Sequence, residues 1–437
     1  MDAAPTSFEA PGAMGESFRW FSAARTLLLA ILLEAPLAFG AVQEWAWAAM
    51  AVGASLTLFI WSIASAQRGE LKIVWSPLYL PALLFFLLSS IQFFARRTLD
   101  PIAARESLLK LVTGLIFFFL AGQFLAIGGE KRLRAFGLGV VVYAFALALL
   151  GMLQFLSSKG VIYWSVPVLG SPFGPYVNHN HYAGLMEMLI PVGAGYVLSR
   201  PRDNPMRTLL GCALLVPIAS MLICGSRGGF ISLFAEVVIL GAVLVWRVPA
   251  SGRRRLAGAA ALGITAAVLL FLWMDPGGIS KHLMTIANAA HSPEATLGER
   301  KVVALDSLRI LRDHPWLGVG LGGFETAYPA YQSFPTDWIW AHVHNDYAEA
   351  LAETGLVGGL LIAAALAMFF RLAFRRLGER LRNDAGWIQL GAALGCCGLL
   401  VHSFSDFNLH IPANAAWFAV LASVATISPS GDSLTAR

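Results

Sequence analysis

The stretch Tyr347-Ala-Glu-Ala-Leu-Ala-Glu-Thr-Gly-Leu-Val-Gly-Gly-Leu-Leu-Ile-Ala-Ala-Ala-Leu-Ala-Met-Phe-Phe370 decides the fold class. It meets the roughly 20 residues that a helix needs to cross ~30 Å of hydrocarbon, and Arg371 follows it. Directly before it stands Ala341-His-Val-His-Asn-Asp346, a polar run at the margin of an apolar one. Histidines, an amide and a carboxylate are costly at the edge of a bilayer, so their clustering asks for a chemical reason.

The same kind of apolar run recurs along the chain. Of 437 residues, 57% are hydrophobic and only 13% charged, against about 25% charged in a soluble protein. The pattern predicts an all-α, polytopic transmembrane helical bundle of about 12 spans. They are placed at 20–40, 45–66, 76–95, 108–127, 135–156, 181–199, 208–224, 228–246, 256–274, 347–370, 386–404 and 411–428. The organisation expected is a tail at 1–19, nine spans over 20–274, a large partly helical loop at 275–346, three spans over 347–428, and a tail at 429–437. Lys and Arg recur in alternate short connections, which places both termini in the cytoplasm and the long loop on the opposite face. The net charge of +5 therefore reflects topology and no nucleic-acid partner. Residues 1–18 are polar and the next run is long enough to span, so no cleavable leader is expected. Cys212, Cys224, Cys396 and Cys397 lie in apolar runs and read as small buried side chains.

The 275–346 loop far exceeds the usual 4–6 residues, so function or a folded subdomain is expected there. Within it, Thr296-Leu-Gly-Glu299 reads as a capping box. Val302, Leu305 and Leu308 recur at helical spacing, and His314-Pro315 stops the run. This predicts a basic amphipathic helix at 297–313 lying at the membrane–water interface, with Lys301, Arg309 and Arg312 able to snorkel to headgroups.

Candidate chemical residues gather at the span ends on that same side. Arg227 lies in Gly225-Ser-Arg-Gly-Gly229, between two apolar helices. There a guanidinium with free helix-start amides favours an anion, the alternative being a lipid phosphate. Arg300 is a second candidate, because two guanidiniums chelate a diphosphate in a way lysine does not imitate. His344 precedes Asp346, read as a helix N-cap with Glu349 completing a box. The helix dipole would then favour a neutral, base-competent imidazole at His344. Gly355, Gly358 and Gly359 would allow close helix packing behind it. A zinc site from His342, His344 and Asp346 is the competing reading, but no HExxH or paired-cysteine pattern supports it, so no metal is expected.

His179-Asn-His-Tyr-Ala183 echoes His344-Asn-Asp-Tyr-Ala348. Asn178, Asn180, His181, Tyr182 and Asn345 are candidates to support the site or bind sugar hydroxyls, with helix capping the alternative for the asparagines. Asp406 and Asn408 are polar candidates in the turn before the last span. Gly318-Val-Gly-Leu-Gly-Gly323 follows no strand and is not read as a nucleotide loop. Glu34, Glu187 and Glu236 receive no role.

These residues resemble the O-antigen ligase superfamily, which includes O-antigen ligases, O-antigen polymerases and protein O-oligosaccharyltransferases. His344-Asn345, nine residues, Gly355, two residues and Gly358 fit the ligase motif. Ser226-Arg-Gly228, Leu317-Gly-Val-Gly320 and Asp406-Phe-Asn-Leu-His-Ile-Pro412 add to the likeness, which covers about residues 170–415. The resemblance implies a GT-C-like bundle in the bacterial inner membrane with its active site facing the periplasm. It implies metal-independent, inverting transfer without a cofactor, from an undecaprenyl-pyrophosphate-linked glycan to lipid A–core, another glycan or a protein. By motif position, His344 would deprotonate or orient the acceptor hydroxyl and Arg227 would bind the diphosphate; Arg300 follows by loop position. His344 and the arginines would flank one cavity without touching. A transporter or flippase for lipid-linked sugars is the reading from another class. It would show broken helices and mid-membrane ionisable groups.

Overall fold

Apolar runs cut by proline, glycine and basic turns give an almost wholly helical chain in the computed structural model. It describes residues 11–69, 71–126, 128–247, 258, 297–336, 339–427 and 433–436. The first half forms α1 (Pro11–Leu37), α2 (Glu44–Gln67), α3 (Tyr79–Phe94), α4 (Pro101–Ala126), α5 (Gly129–Ser157), α6 (His179–Ser199), α7 (Pro205–Cys224) and α8 (Arg227–Arg247). After them come α9 (Leu297–Asp313), α10 (Asp346–Phe374), α11 (Asp384–His402) and α12 (Pro412–Thr426). Among the described residues, nine helices are long and apolar enough to cross a membrane, while α3 and α12 are shorter apolar helices. These stand where eleven spans were expected; the twelfth, 256–274, lies outside the described residues except for residue 258, and Thr296 lies outside them too. The protein is an all-α polytopic membrane protein. One small ribbon departs from the expectation: β1 (Leu71–Val74) pairs antiparallel with β2 (Ser433–Ala436).

Among the described residues, the bundle is organised around α6 and α11, the most enclosed of the nine long spans, 78% and 89% buried. Their backbones touch because glycine faces carbonyl at successive turns. A Cβ at Gly395 would lie 2.6 Å from the Met188 carbonyl oxygen, and one at Gly391 or Gly195 would overlap the Pro191 or Trp387 carbonyl. Such small-residue seams let membrane helices approach closely.

Gly355 does different work from the helix packing expected of it. It interrupts α10 at φ 64, ψ −165, a conformation essentially open only to glycine. The break frees backbone groups that cannot stay unpaired in hydrocarbon, and the long loop satisfies them. Leu356 and Val357 N–H donate to the Pro315 and Trp316 carbonyls, and the Ala352 and Glu353 carbonyls accept from Val319 and Gly320. The Gln92 amide on α3 also donates to the Glu353 carbonyl at 3.0 Å. Segment 315–320 is thus stitched into the broken span. We expect Gly355→Ala to destabilise the protein by about 1–3 kcal/mol through forced strain, since its Cβ would overlap the Trp316 backbone. Thermal unfolding and limited proteolysis of residues 315–320 check this; an unchanged melting temperature contradicts it.

The loop helix spans the expected residues but turns the other way. Val303 and Ile310 are fully buried beside buried Asp306 and Ser307, whereas Leu305 and Leu308 are exposed. The inward face packs on Phe324, Tyr328, Val343 and Ala352. Asp306 accepts from Ser333 N–H at 3.0 Å and Ser333 Oγ at 2.9 Å, which anchors α9 to the following loop. One side of α9 therefore holds the loop subdomain together and the other presents leucines outward.

Candidate active site

The start of α6, the start of α8, the first turns of α9 and α10 and the end of α11 meet at one end of the bundle. At the centre is Asp406, fully buried in the turn after α11. That turn is closed by Ser405 and Asp406 N–H donating to the His402 carbonyl at 2.8 and 3.1 Å. Around the carboxylate lie His344 Nδ1 at 3.4 Å, His181 Nε2 at 3.8 Å and Arg300 Nη1 at 3.7 Å. Arg300 Nη1 also donates to the Ser405 carbonyl at 2.9 Å. Three sequence-read candidates, His344, His181 and Arg300, therefore converge on a fourth. Arg300 and His344 both line one cavity with no hydrogen bond or ion pair between them, and the two share one carboxylate.

His344 has φ 56, a left-handed backbone that costs of order 1–3 kcal/mol in a non-glycine residue. Burial lowers its pKa below 6.5, with Arg300 and His342 acting in the same direction and Asp406 opposing. At neutral pH the imidazole is thus a free base. Asp406 lies on the Nδ1 side of the ring, 3.4 Å away. Burial alone would raise the Asp406 pKa, but its contacts with His181 and His344 hold it well below the carboxylate range.

Phe407, which received no role from the sequence, is the platform for these rings. His342 stacks on it at 4.4 Å, and His344 and His181 meet its edge at 4.7 and 4.9 Å. Together they border a cavity of about 440 Å³ whose polar wall includes Asn178, His181, Arg300, His342, His344 and His410, with Lys110 among the remaining lining residues. Lys110 was hidden in an otherwise apolar span, so its spacing gave no signal.

Asp346 is not the helix cap expected of it. Asn345 is: in extended conformation, its side-chain oxygen accepts from Tyr347 and Ala348 N–H at 3.1 and 3.0 Å. Asp346 instead bonds Ser403 Oγ at 2.7 Å and His410 Nδ1 at 2.9 Å, tying α10 to the end of α11. Glu349, also read as part of that cap, is buried and accepts from Val343 N–H at 2.8 Å and His342 Nδ1 at 2.7 Å; His410 Nε2 lies 3.2 Å away. Burial would lower the His410 pKa, yet Glu349 and Asp346 raise it to about 10. The ligand atoms of His342, Glu349 and His410 lie within 4.8 Å of one another, so this set could accept a divalent ion. It is not the set weighed from the sequence, and its atoms already pair with each other.

The remaining candidates separate. Asn178 caps α6, accepting from Asn180 N–H at 2.8 Å, and also reaches the cavity. Asn180 is buried, and Tyr182 is a core residue whose hydroxyl meets Ser220 Oγ at 2.7 Å. Arg227 opens α8 with an exposed side chain and is not among the residues lining the cavity.

A polytopic helical membrane protein with a buried carboxylate, paired imidazoles and a guanidinium around a cavity at the span ends is equipped for transfer chemistry at the bilayer edge. Residues 212–363, which include Arg227, Arg300 and His344, match the O-Antigen ligase family model. The chain is also 26% identical over 330 residues to the O-antigen ligase of Pseudomonas aeruginosa, covering 73% of this chain and 71% of that protein. The two matches bear out the resemblance to the O-antigen ligase superfamily and support a ligase, glycosyltransferase-type function.

Proposed function

We propose that the cavity moves a glycan from an undecaprenyl-pyrophosphate carrier to an acceptor hydroxyl, lipid A–core or similar, by a metal-independent inverting displacement. The acceptor oxygen attacks the sugar C1, the C1–oxygen bond to the diphosphate breaks, and the acceptor proton passes to His344 Nε2. Asp406 holds the opposite side of the ring, as in other base–orienter pairs. Charge develops on the departing diphosphate, where fixed guanidiniums act most strongly. Arg300 is the one already in the cavity wall, and Arg227 is the second by motif position. The observation that carries this reading is the meeting of His344 and Arg300 on Asp406. The bundle sits in the bacterial inner membrane with both termini cytoplasmic and this end facing the periplasm, where sugar–diphosphate bonds supply the energy.

An O-antigen polymerase or a protein O-oligosaccharyltransferase would use the same donor. The test is the product mass after incubating the purified protein with defined lipid-linked donor and each acceptor. Lipid A–core gaining the glycan mass is expected; a lengthened donor or a modified protein would select an alternative, and no product with any acceptor would sink the reading. In the same assay Arg227→Lys should lose on the order of 10²-fold in turnover, the scale of removing one transition-state donor. Full activity there would remove Arg227 from the diphosphate site.

A further inference from the structure

Beneath the cavity lies a buried pair that the reaction does not use. His402, the last residue of α11, places Nδ1 3.1 and 3.2 Å from the Glu187 carboxylate oxygens on α6, and both side chains are about 1% exposed or less. The other edge of the imidazole meets the first turn of α8, where a Cβ at Gly228 would overlap Cδ2 and Nε2 and lie 2.9 Å from Ser405 Oγ. The His402 carbonyl accepts from Ser405 and Asp406 N–H, which fixes the turn that holds the central carboxylate. One residue therefore touches α6, the start of α8 next to Arg227, and the Asp406 turn. Buried polar groups in an apolar interior persist only when paired, so this hydrogen-bonded pair permits few alternative arrangements.

We propose that His402 and Glu187 are positioning residues: their pair sets the Asp406 turn against the first turn of α8, and so places His344 and Arg227 on a common frame. This rests on the reading of the site given above. A displacement of about 1 Å at a reacting group can cost on the order of 10²-fold, so a residue outside the cavity can govern turnover.

The test counts donor-binding sites by titration with undecaprenyl-pyrophosphate-linked glycan, then measures turnover per counted site. For Glu187→Gln, which keeps size but removes the carboxylate, sites should remain near one per chain while turnover per site falls about tenfold or more. A merely structural role would lower the site count and leave turnover per site unchanged, and that result overturns the proposal. Should Glu187→Gln not fold, His402→Gln, which keeps an N–H donor toward Glu187, is measured in the same way. If the wild-type protein binds no donor, the reading of the site itself fails. If it binds and turns over while both variants match it per site, only the positioning claim falls.

Discussion

Replacing His344 with alanine is expected to lower glycan transfer by about 10²–10⁴-fold, the usual contribution of a positioned general base. The imidazole borders the cavity, is kept neutral by burial, and sits on a left-handed backbone beside Asp406. Removing it opens space at the cavity wall and leaves the helix cap on Asn345 intact. Folding and donor binding should therefore survive, since the nearby guanidinium keeps its bond to the Ser405 carbonyl. The measurement is transfer in proteoliposomes, with thermal unfolding and donor binding alongside. Near-normal turnover by a folded variant would remove His344 from the chemistry.

Asp406→Asn should be almost as damaging and for two separable reasons. Where an aspartate orients a catalytic histidine, amidation costs about 10⁴-fold in a well-studied protease by stabilising the wrong tautomer; about 10²–10⁴-fold is expected here. The substitution also leaves Arg300, whose side chain is only 13% exposed, without its carboxylate. Breaking a buried ion pair from one side is destabilising by roughly 3–5 kcal/mol, discounted here because Nη1 retains the Ser405 carbonyl. Stability and turnover should fall together, unlike in His344→Ala. A variant that is stable and fully active would show that Asp406 neither orients the base nor balances the arginine.

Much of the architecture was legible because the bilayer imposes a length on each span, and eleven expected spans coincide with helices. The α9 helix was legible in extent because the polar stop at His314-Pro315 is local. Its phase was not: apolar residues occur on both sides, and Val303 and Ile310 rather than Val302, Leu305 and Leu308 meet the loop core. Gly355 was singled out correctly and misread, since its partner, segment 315–320, comes from another part of the chain. The same holds for Glu349, Asp346 and His410, whose pairing joins residues on either side of the two spans α10 and α11. His344, Arg300 and Asp406 stood out because charge is conspicuous against apolar sequence. Phe407 did not, being one of 28 phenylalanines. Glu187 stood out without a partner, because its histidine lies at the far end of another span.

The claim that His344 acts as a free base is tested most directly by the pH dependence of kcat/KM with saturating acceptor. The groups facing the ring are Asp406, Arg300 and His342, with His181 on the same carboxylate. A base is active when deprotonated, so the rate falls as pH drops through its pKa. Because burial places that pKa below 6.5, the acid limb should have its midpoint below pH 6.5. Asp406→Asn should move the limb further toward acid, since the carboxylate is the group that raises the pKa. An acid limb centred above 6.5 that does not respond to Asp406→Asn, or a wild-type rate independent of pH through this range, would contradict the assignment.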